Sequence, residues 1–194
     1  TNEDDIVTQI ISIVETLRTR HAGKGTDILA VGIGVPGGVD AGGSRIIATA
    51  NLPMDDVDLG RRISEACGLP IIVGNDVTLA TMGEAWYGAG RGAANLLGVF
   101  VGTGIGGGLV VDSKIYSGAH GAAGEIGHLL VDRDGSICGC GRRGCLEALA
   151  SRTAIVRDLI AEVENGRMSV LGDRIRSGRP IRSNRLRKAL DEGD

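Results

Sequence analysis

The stretch GAAGEIGHLLVDRDGSICGCGRRGCLE, from Gly121 to Glu147, constrains this chain more than any other, because it gathers three of the four cysteines and one of the three histidines. Cys138, Cys140 and Cys145 stand among Gly139, Gly141 and Gly144. Glycine lets a backbone fold tightly enough for three thiolates to face one point. His128, upstream of Cys138, can close a fourth corner. One His and three Cys make a tetrahedral zinc site without an open position, so a metal there is structural and not the catalyst. A disulfide staple fits less well, since three cysteines are an odd count and Cys138 and Cys140 are too near for a comfortable bridge. Idle core thiols would not need so many glycines, with Arg142 and Arg143 beside them. C-x-C-G-x-x-G-C after a spaced His is also far stricter than a lone CxxC. Glu147, two residues past a ligand, and Glu125, three before another, would be held in position by the metal. Either alone would more often be a solvated carboxylate.

Composition bounds the rest. With 194 residues, 42% of them hydrophobic, the chain can bury a sizeable core and falls between one domain and two. Net charge is −3, no apolar run approaches ~18 residues, and the first twenty residues carry acids in place of a basic leader. The expectation is a soluble, cytoplasmic protein without a membrane partner. Cys67 reads as an inert core thiol, which suits a reducing compartment. Trp86, Tyr87, Phe100 and Tyr116 are the only aromatic residues, so stacking on rings cannot dominate recognition of bases or sugars. The 33 glycines concentrate in short loops between apolar strands, which points to many places where backbone meets ligand. The chain begins at Thr1 without a methionine, and a fragment is expected.

GxxGExGH followed by CxCGxxGCxE resembles the signature of the ROK family, which comprises sugar kinases and sugar-sensing repressors. The resemblance runs from about Ile28 to Ser151. It implies an α/β chain of the actin-like, ribonuclease H-like sugar kinase fold with two lobes, and a parent protein that is a homo-oligomer, dimer or tetramer.

Taken in order, Ile6, Ile10, Ile13, Val14 and Leu17 recur at helical spacing, with Asn2 or Asp4 available as a cap. ILAVGIGVPGGVD begins as a buried strand and breaks at a Pro36-Gly37-Gly38 turn. That turn is plain, or else, as the family's similar GxPGxVD segment implies, Gly37 and Gly38 approach a sugar. Asn51 ends another short strand; it is a turn former, or the sugar contact that the resemblance implies. A helix ending at Gly68 leads into the strand PIIVGND and a further helix from about Thr78. Alternating strand and helix imply parallel pairing, with ligands at the carboxyl ends of the strands. Asn75 and Asp76 occupy such an end. Asp76 either caps the next helix or accepts the proton of a substrate hydroxyl that Asn75 orients, which resembles the family's catalytic Asn-Asp pair.

Gly102, Gly104 and Gly107 satisfy GxGxxG, but the following GLVVDSKIY is β-rich, so a hairpin is expected in place of a dinucleotide fold. GTGIGGG resembles the second phosphate motif of the actin and sugar-kinase superfamily. That resemblance puts the amides of Gly102, Gly104, Gly106 and Gly107 and the Thr103 hydroxyl on ATP phosphates. Residues 151–194 hold ten of the 21 basic residues against seven acids, too slight an excess to argue for nucleic acid and read as exposed helix faces.

The sequence therefore divides into residues 1–93, part of a small α/β lobe lacking its first strands, and residues 94–194, part of a larger lobe with the zinc knuckle, both incomplete at their outer ends. The parent activity it implies is ATP-dependent phosphorylation of a hexose or related sugar, with Mg accompanying ATP and zinc as a structural cofactor. Asp76 would be general base, and Gly37, Gly38, Asn51, Asn75, Glu125, His128 and Glu147 would hold the sugar. No DxGGT motif, which the family's kinases carry in their first strand, occurs in these residues. The alternative is the sensing core of a ROK repressor, with nucleic acid as a partner only in that case.

Overall fold

A computed structural model describes residues 2–23, 25–49, 52–119 and 121–194. Asn51 lies outside the described residues. Contacts divide the chain into two compact units, Thr1–Gly98 with Gly107–Gly124, and Val99–Gly106 with Glu125–Asp194.

Helix α1 (Glu3–His21) opens the first unit. The Asn2 side chain accepts from the Asp5 amide at 2.8 Å and the Asp5 carboxylate accepts from the Asn2 amide at 3.0 Å, so two otherwise orphaned donors are satisfied reciprocally. Strand β1 (Val31–Val35) stops at Pro36, which has no N–H to continue a ladder. The expected turn at Gly37 and Gly38 is instead a short strand, β2 (Gly37–Val39), antiparallel to β3 (Ile46–Thr49). Gly37 pairs with Thr49, and a Cβ on it would overlap the Ala48 carbonyl, so close backbone approach is what requires glycine there. Helix α2 (Leu59–Cys67) ends at Gly68, whose φ of 68° is the left-handed value of a helix C-cap. Strand β4 (Ile71–Asn75) then pairs in parallel with β1, from Val31 opposite Ile71 to Val35 opposite Asn75. Helix α3 (Asp76–Tyr87) begins at the next residue.

These elements bury Val7, Val14, Val35, Ile46, Met54, Leu59, Ile63 and Val73 in one core, with Cys67 among them as an apolar thiol. Burial raises the Cys67 pKa, as an inert core thiol requires. Ile46, Leu59 and Ile63 have no exposed surface, and each such side chain contributes about 1.5–3 kcal/mol.

Strands β5 (Leu96–Val101), β6 (Ile105–Val111) and β7 (Lys114–Ile115) form a sheet in that order. The glycine stretch therefore opens a strand and not a helix, which excludes the dinucleotide fingerprint. Thr81, on α3, has no exposed surface, and its hydroxyl donates to the Val77 carbonyl at 2.8 Å. Gly98 on β5 and Gly108 on β6 both face it, and a Cβ on either would overlap its side chain. Gly98→Ala is expected to destabilise the protein by about 1–3 kcal/mol through overpacking, seen as a lower urea midpoint at constant slope. An unchanged midpoint would show that α3 does not lie so close to the sheet.

The second unit holds a 3₁₀ turn (Ile126–His128) and helices α4 (Leu146–Ala150), α5 (Arg152–Glu164), α6 (Gly172–Arg176) and α7 (Ser183–Asp191). Cys138, Cys145 and Ala148 form a buried cluster of their own. Leu129, Leu130, Val131 and Ile137 around it are exposed, so apolar burial does little to hold this segment in shape. Among the described residues no helix is long and apolar enough to cross a membrane.

Candidate functional site

In the second unit the chain doubles back on itself between Ser136 and Gly144. The Cys138 amide donates to the Arg142 carbonyl at 2.7 Å, the Gly141 amide to the Cys138 carbonyl at 2.9 Å, and the Gly144 amide to the Ser136 carbonyl at 2.9 Å. Gly141 and Gly144 take φ of 85° and 79°, which other residues rarely adopt. The 3₁₀ turn brings His128 to this loop. The Cys138 Sγ lies 3.6 Å from His128 Nδ1, and the Cys140 and Cys145 sulfurs are 3.7 Å apart. All four donor atoms fall within 4.8 Å of one another.

Those separations test the two readings of the cysteines. A disulfide requires sulfurs at about 2.05 Å, and all four cysteines are free. Zinc bound by thiolates at about 2.3 Å sets the edges of its tetrahedron at about 3.8 Å. The donor set and its spacing fit a closed zinc site. Three thiolates around a divalent ion leave one negative charge, and Arg142 lies where it offsets that charge, its Nη2 donating to the His128 carbonyl at 3.2 Å. Hydrogen bonds from the Arg142 amide and guanidinium bring the Cys140 thiol down to about 6, whereas burial pushes Cys138 up to about 11.

The two carboxylates fall beside this loop. Glu147 Oε1 is 3.6 Å from the Cys138 sulfur, and its Oε2 accepts from the Ile105 amide, at the start of β6, at 2.9 Å. Glu125 Oε2 stands 3.9 Å from His128 Nε2, so the imidazole presents Nδ1 to a thiol and Nε2 to a carboxylate. The structure thus brings Glu125, His128, Cys138 and Glu147 together.

Of the expected phosphate residues, only Gly102, Thr103 and Gly104 form the turn itself, closed by the Gly102 amide donating to the Gly104 carbonyl at 2.9 Å. Gly106 and Gly107 lie within β6. A Cβ on Gly104 would overlap the Glu147 carboxylate, so the turn and Glu147 are in direct contact. Arg152 and Thr153 also hold this turn, and neither was singled out in the sequence. The Arg152 contact to Thr103 spans 49 residues, a distance at which no local pattern signals a partner.

In the first unit, Asn75 is the N-cap of α3: its Oδ1 accepts from the Thr78 amide at 2.9 Å and its Nδ2 donates to the Gly37 carbonyl at 3.1 Å. That joins Asn75 to Gly37 but uses the Gly37 backbone. Asp76 is exposed at the carboxyl end of β4, one oxygen accepting from the Val77 amide at 2.9 Å. Gly38 is exposed in β2.

The class follows from these observations together with the solved structures they match. A ROK family glucokinase from Streptomyces griseus, solved with glucose and AMPPNP, superposes with a TM-score of 0.72 at 35% identity, over 85% of this chain and 51% of that one. A ROK family transcriptional regulator, a homolog of the E. coli MLC protein, superposes with a TM-score of 0.84 at 27% identity, over all of this chain and 48% of that one. The chain has the mixed α/β, actin-like fold of the ROK sugar kinases. It belongs to the ROK family, whose profile matches residues 1–190. A glucokinase of Halalkalibacterium halodurans is 39% identical over 162 residues, covering 81% of this chain and 49% of that protein. The chain thus spans about half the length of that curated relative.

Proposed function

We propose that the whole protein of which these residues form part transfers a phosphoryl group from ATP, with Mg, to a hydroxyl of a hexose or related sugar. The observation that carries this is the division of labour at the end of β4. Asn75 caps α3 at the Thr78 amide, and Asp76 gives only one oxygen to the Val77 amide, which leaves its other oxygen to take a hydroxyl proton. The likeness to glucokinases supports the same reading.

In this reading Asn75 and the backbone of Gly37 and Gly38 position the sugar, with Asn51, and Glu125, His128 and Glu147 accept or donate hydrogen bonds to its hydroxyls. Gly102, Thr103 and Gly104 face the phosphates, with Gly106 and Gly107 behind them in β6. His128, Cys138, Cys140 and Cys145 hold zinc, which supplies no chemistry to the transfer and keeps His128 and Glu147 in place. Residues 1–93 belong to a smaller lobe and 94–194 to a larger one, in a cytoplasmic homo-oligomer. Coupled measurement of ADP release across a panel of hexoses, with the whole protein, tests the assignment: sugar-dependent release is expected, and its absence for every sugar that binds would overturn it.

The regulator that superposes over the whole chain favours one second reading, a sugar sensor that controls DNA binding. Sugar binding without ATP turnover, together with sugar-dependent release of a DNA fragment, would select it.

A further inference from the structure

The Gly102–Gly104 turn is held from the first residues of α5. The Arg152 amide donates to the Gly102 carbonyl at 3.0 Å, the Thr153 hydroxyl to the Thr103 carbonyl at 2.7 Å, and Arg152 Nη2 to Thr103 Oγ1 at 2.7 Å. The last of these has a directional consequence. A guanidinium offers five N–H donors and no acceptor, so Thr103 Oγ1 must accept in this pair. Its own proton is then left to point away from Arg152. A hydroxyl with its rotor set in this way is a donor looking for an acceptor, beside a fixed positive charge. Phosphate oxygens are acceptors only, carry negative charge, and form the stronger charge-assisted hydrogen bonds with arginine.

We propose that Arg152 is a positioning residue for the nucleotide, orienting the Thr103 hydroxyl as a donor to a phosphate oxygen of a nucleoside triphosphate and placing a cation beside it. This rests on the reading of Gly102–Gly104 as a phosphate turn. Thr153 serves the same turn differently, fixing its backbone through the Thr103 carbonyl and leaving the Thr103 hydroxyl to Arg152.

The test uses the whole protein and titrates AMPPNP and sugar separately against the Arg152→Met, Arg152→Lys, Thr103→Val and Arg152→Met/Thr103→Val variants. Arg152→Met is expected to weaken AMPPNP about tenfold with sugar affinity unchanged, as loss of one charge-assisted donor implies. Arg152→Lys should recover part of that loss. In the double variant the two losses should fall short of additive, because the second change removes an interaction already gone. If Thr103→Val weakens AMPPNP and Arg152→Met does not, the role of Arg152 is overturned and the phosphate turn stands. AMPPNP binding that is indifferent to both residues overturns the phosphate turn itself. Equal loss of AMPPNP and sugar affinity with a lowered unfolding midpoint, unrescued by Arg152→Lys, reduces Arg152 to a clamp of the fold and overturns the proposal.

Discussion

Asp76→Asn in the whole protein is expected to lower the rate of sugar phosphorylation by ~10²–10⁴-fold while sugar affinity stays within severalfold, the range over which a positioned general base contributes. The amide has the size of the carboxylate and keeps one oxygen acceptor, so the bond from the Val77 amide to Asp76 Oδ1 has an equivalent in the variant. What it lacks is the capacity to take a proton from the attacking hydroxyl. Because Asn75 caps α3, the helix start should survive the change, and the unfolding midpoint serves as the control. Turnover that remains nearly intact would return Asp76 to a local structural role and move the sensor reading ahead. Glu147→Gln should behave in the opposite way and weaken sugar binding first. Its proposed bonds are present in ground and transition states alike, and uniform binding of that kind shows in KM before kcat.

The second large effect concerns the knuckle. Cys145→Ser is expected to take bound zinc from about one per chain to a small fraction, and to expose residues 125–147 to proteolysis, as chelation of the unaltered protein should. Cys145 is 1% exposed and its sulfur is 3.7 Å from that of Cys140, so the change removes a ligand at the centre of the cluster. Binding of structural zinc is worth about 10–16 kcal/mol in small folds, far more than apolar burial by Cys138, Cys145 and Ala148 could replace. Cys67→Ser is the control. Cys67 belongs to the other core, and its substitution should cost some stability and no metal. Stoichiometric zinc retained by Cys145→Ser, with unchanged proteolysis, would overturn the assignment of the ligand set.

What was legible in the sequence was what local chemistry encodes. The α1 cap, the left-handed Gly68, the hairpin at GTGIGGG and the convergence of His128 with three cysteines all follow from residues a few positions apart, or from one short, strictly spaced motif. Pairings between distant segments were not legible. Gly37 and Gly38 read as a turn because Pro-Gly-Gly is turn chemistry, but the register opposite Ala48 and Thr49 made them a strand. Glu147 was expected beside the cysteine loop, and its Oε1 lies 3.6 Å from the Cys138 sulfur. Its bond to the Ile105 amide, 42 residues away, could not have been foreseen, and neither could the hold of Arg152 on Thr103. The fate of Gly106 and Gly107, absorbed into β6 while the turn kept only three residues, depended on where the ladder of that sheet began.

The packing of Thr81 against Gly98 and Gly108 bears on how such a protein can change over generations. One threonine occupies the room that two missing side chains would need, so the three positions share a single volume. A side chain at Gly98 or Gly108 clashes while threonine stays at 81; alanine there removes the hydroxyl and methyl that crowd Gly98 most, whereas a Cβ at Gly108 would still overlap the Cβ of residue 81. The order of mutations is therefore constrained, and a lineage that takes them in reverse passes through a destabilised intermediate. Alanine at 81 is the permissive step for Gly98 alone. It gives up the bond to the Val77 carbonyl and relieves β5 at Gly98 but not β6 at Gly108, so the two glycines are tied to position 81 unequally.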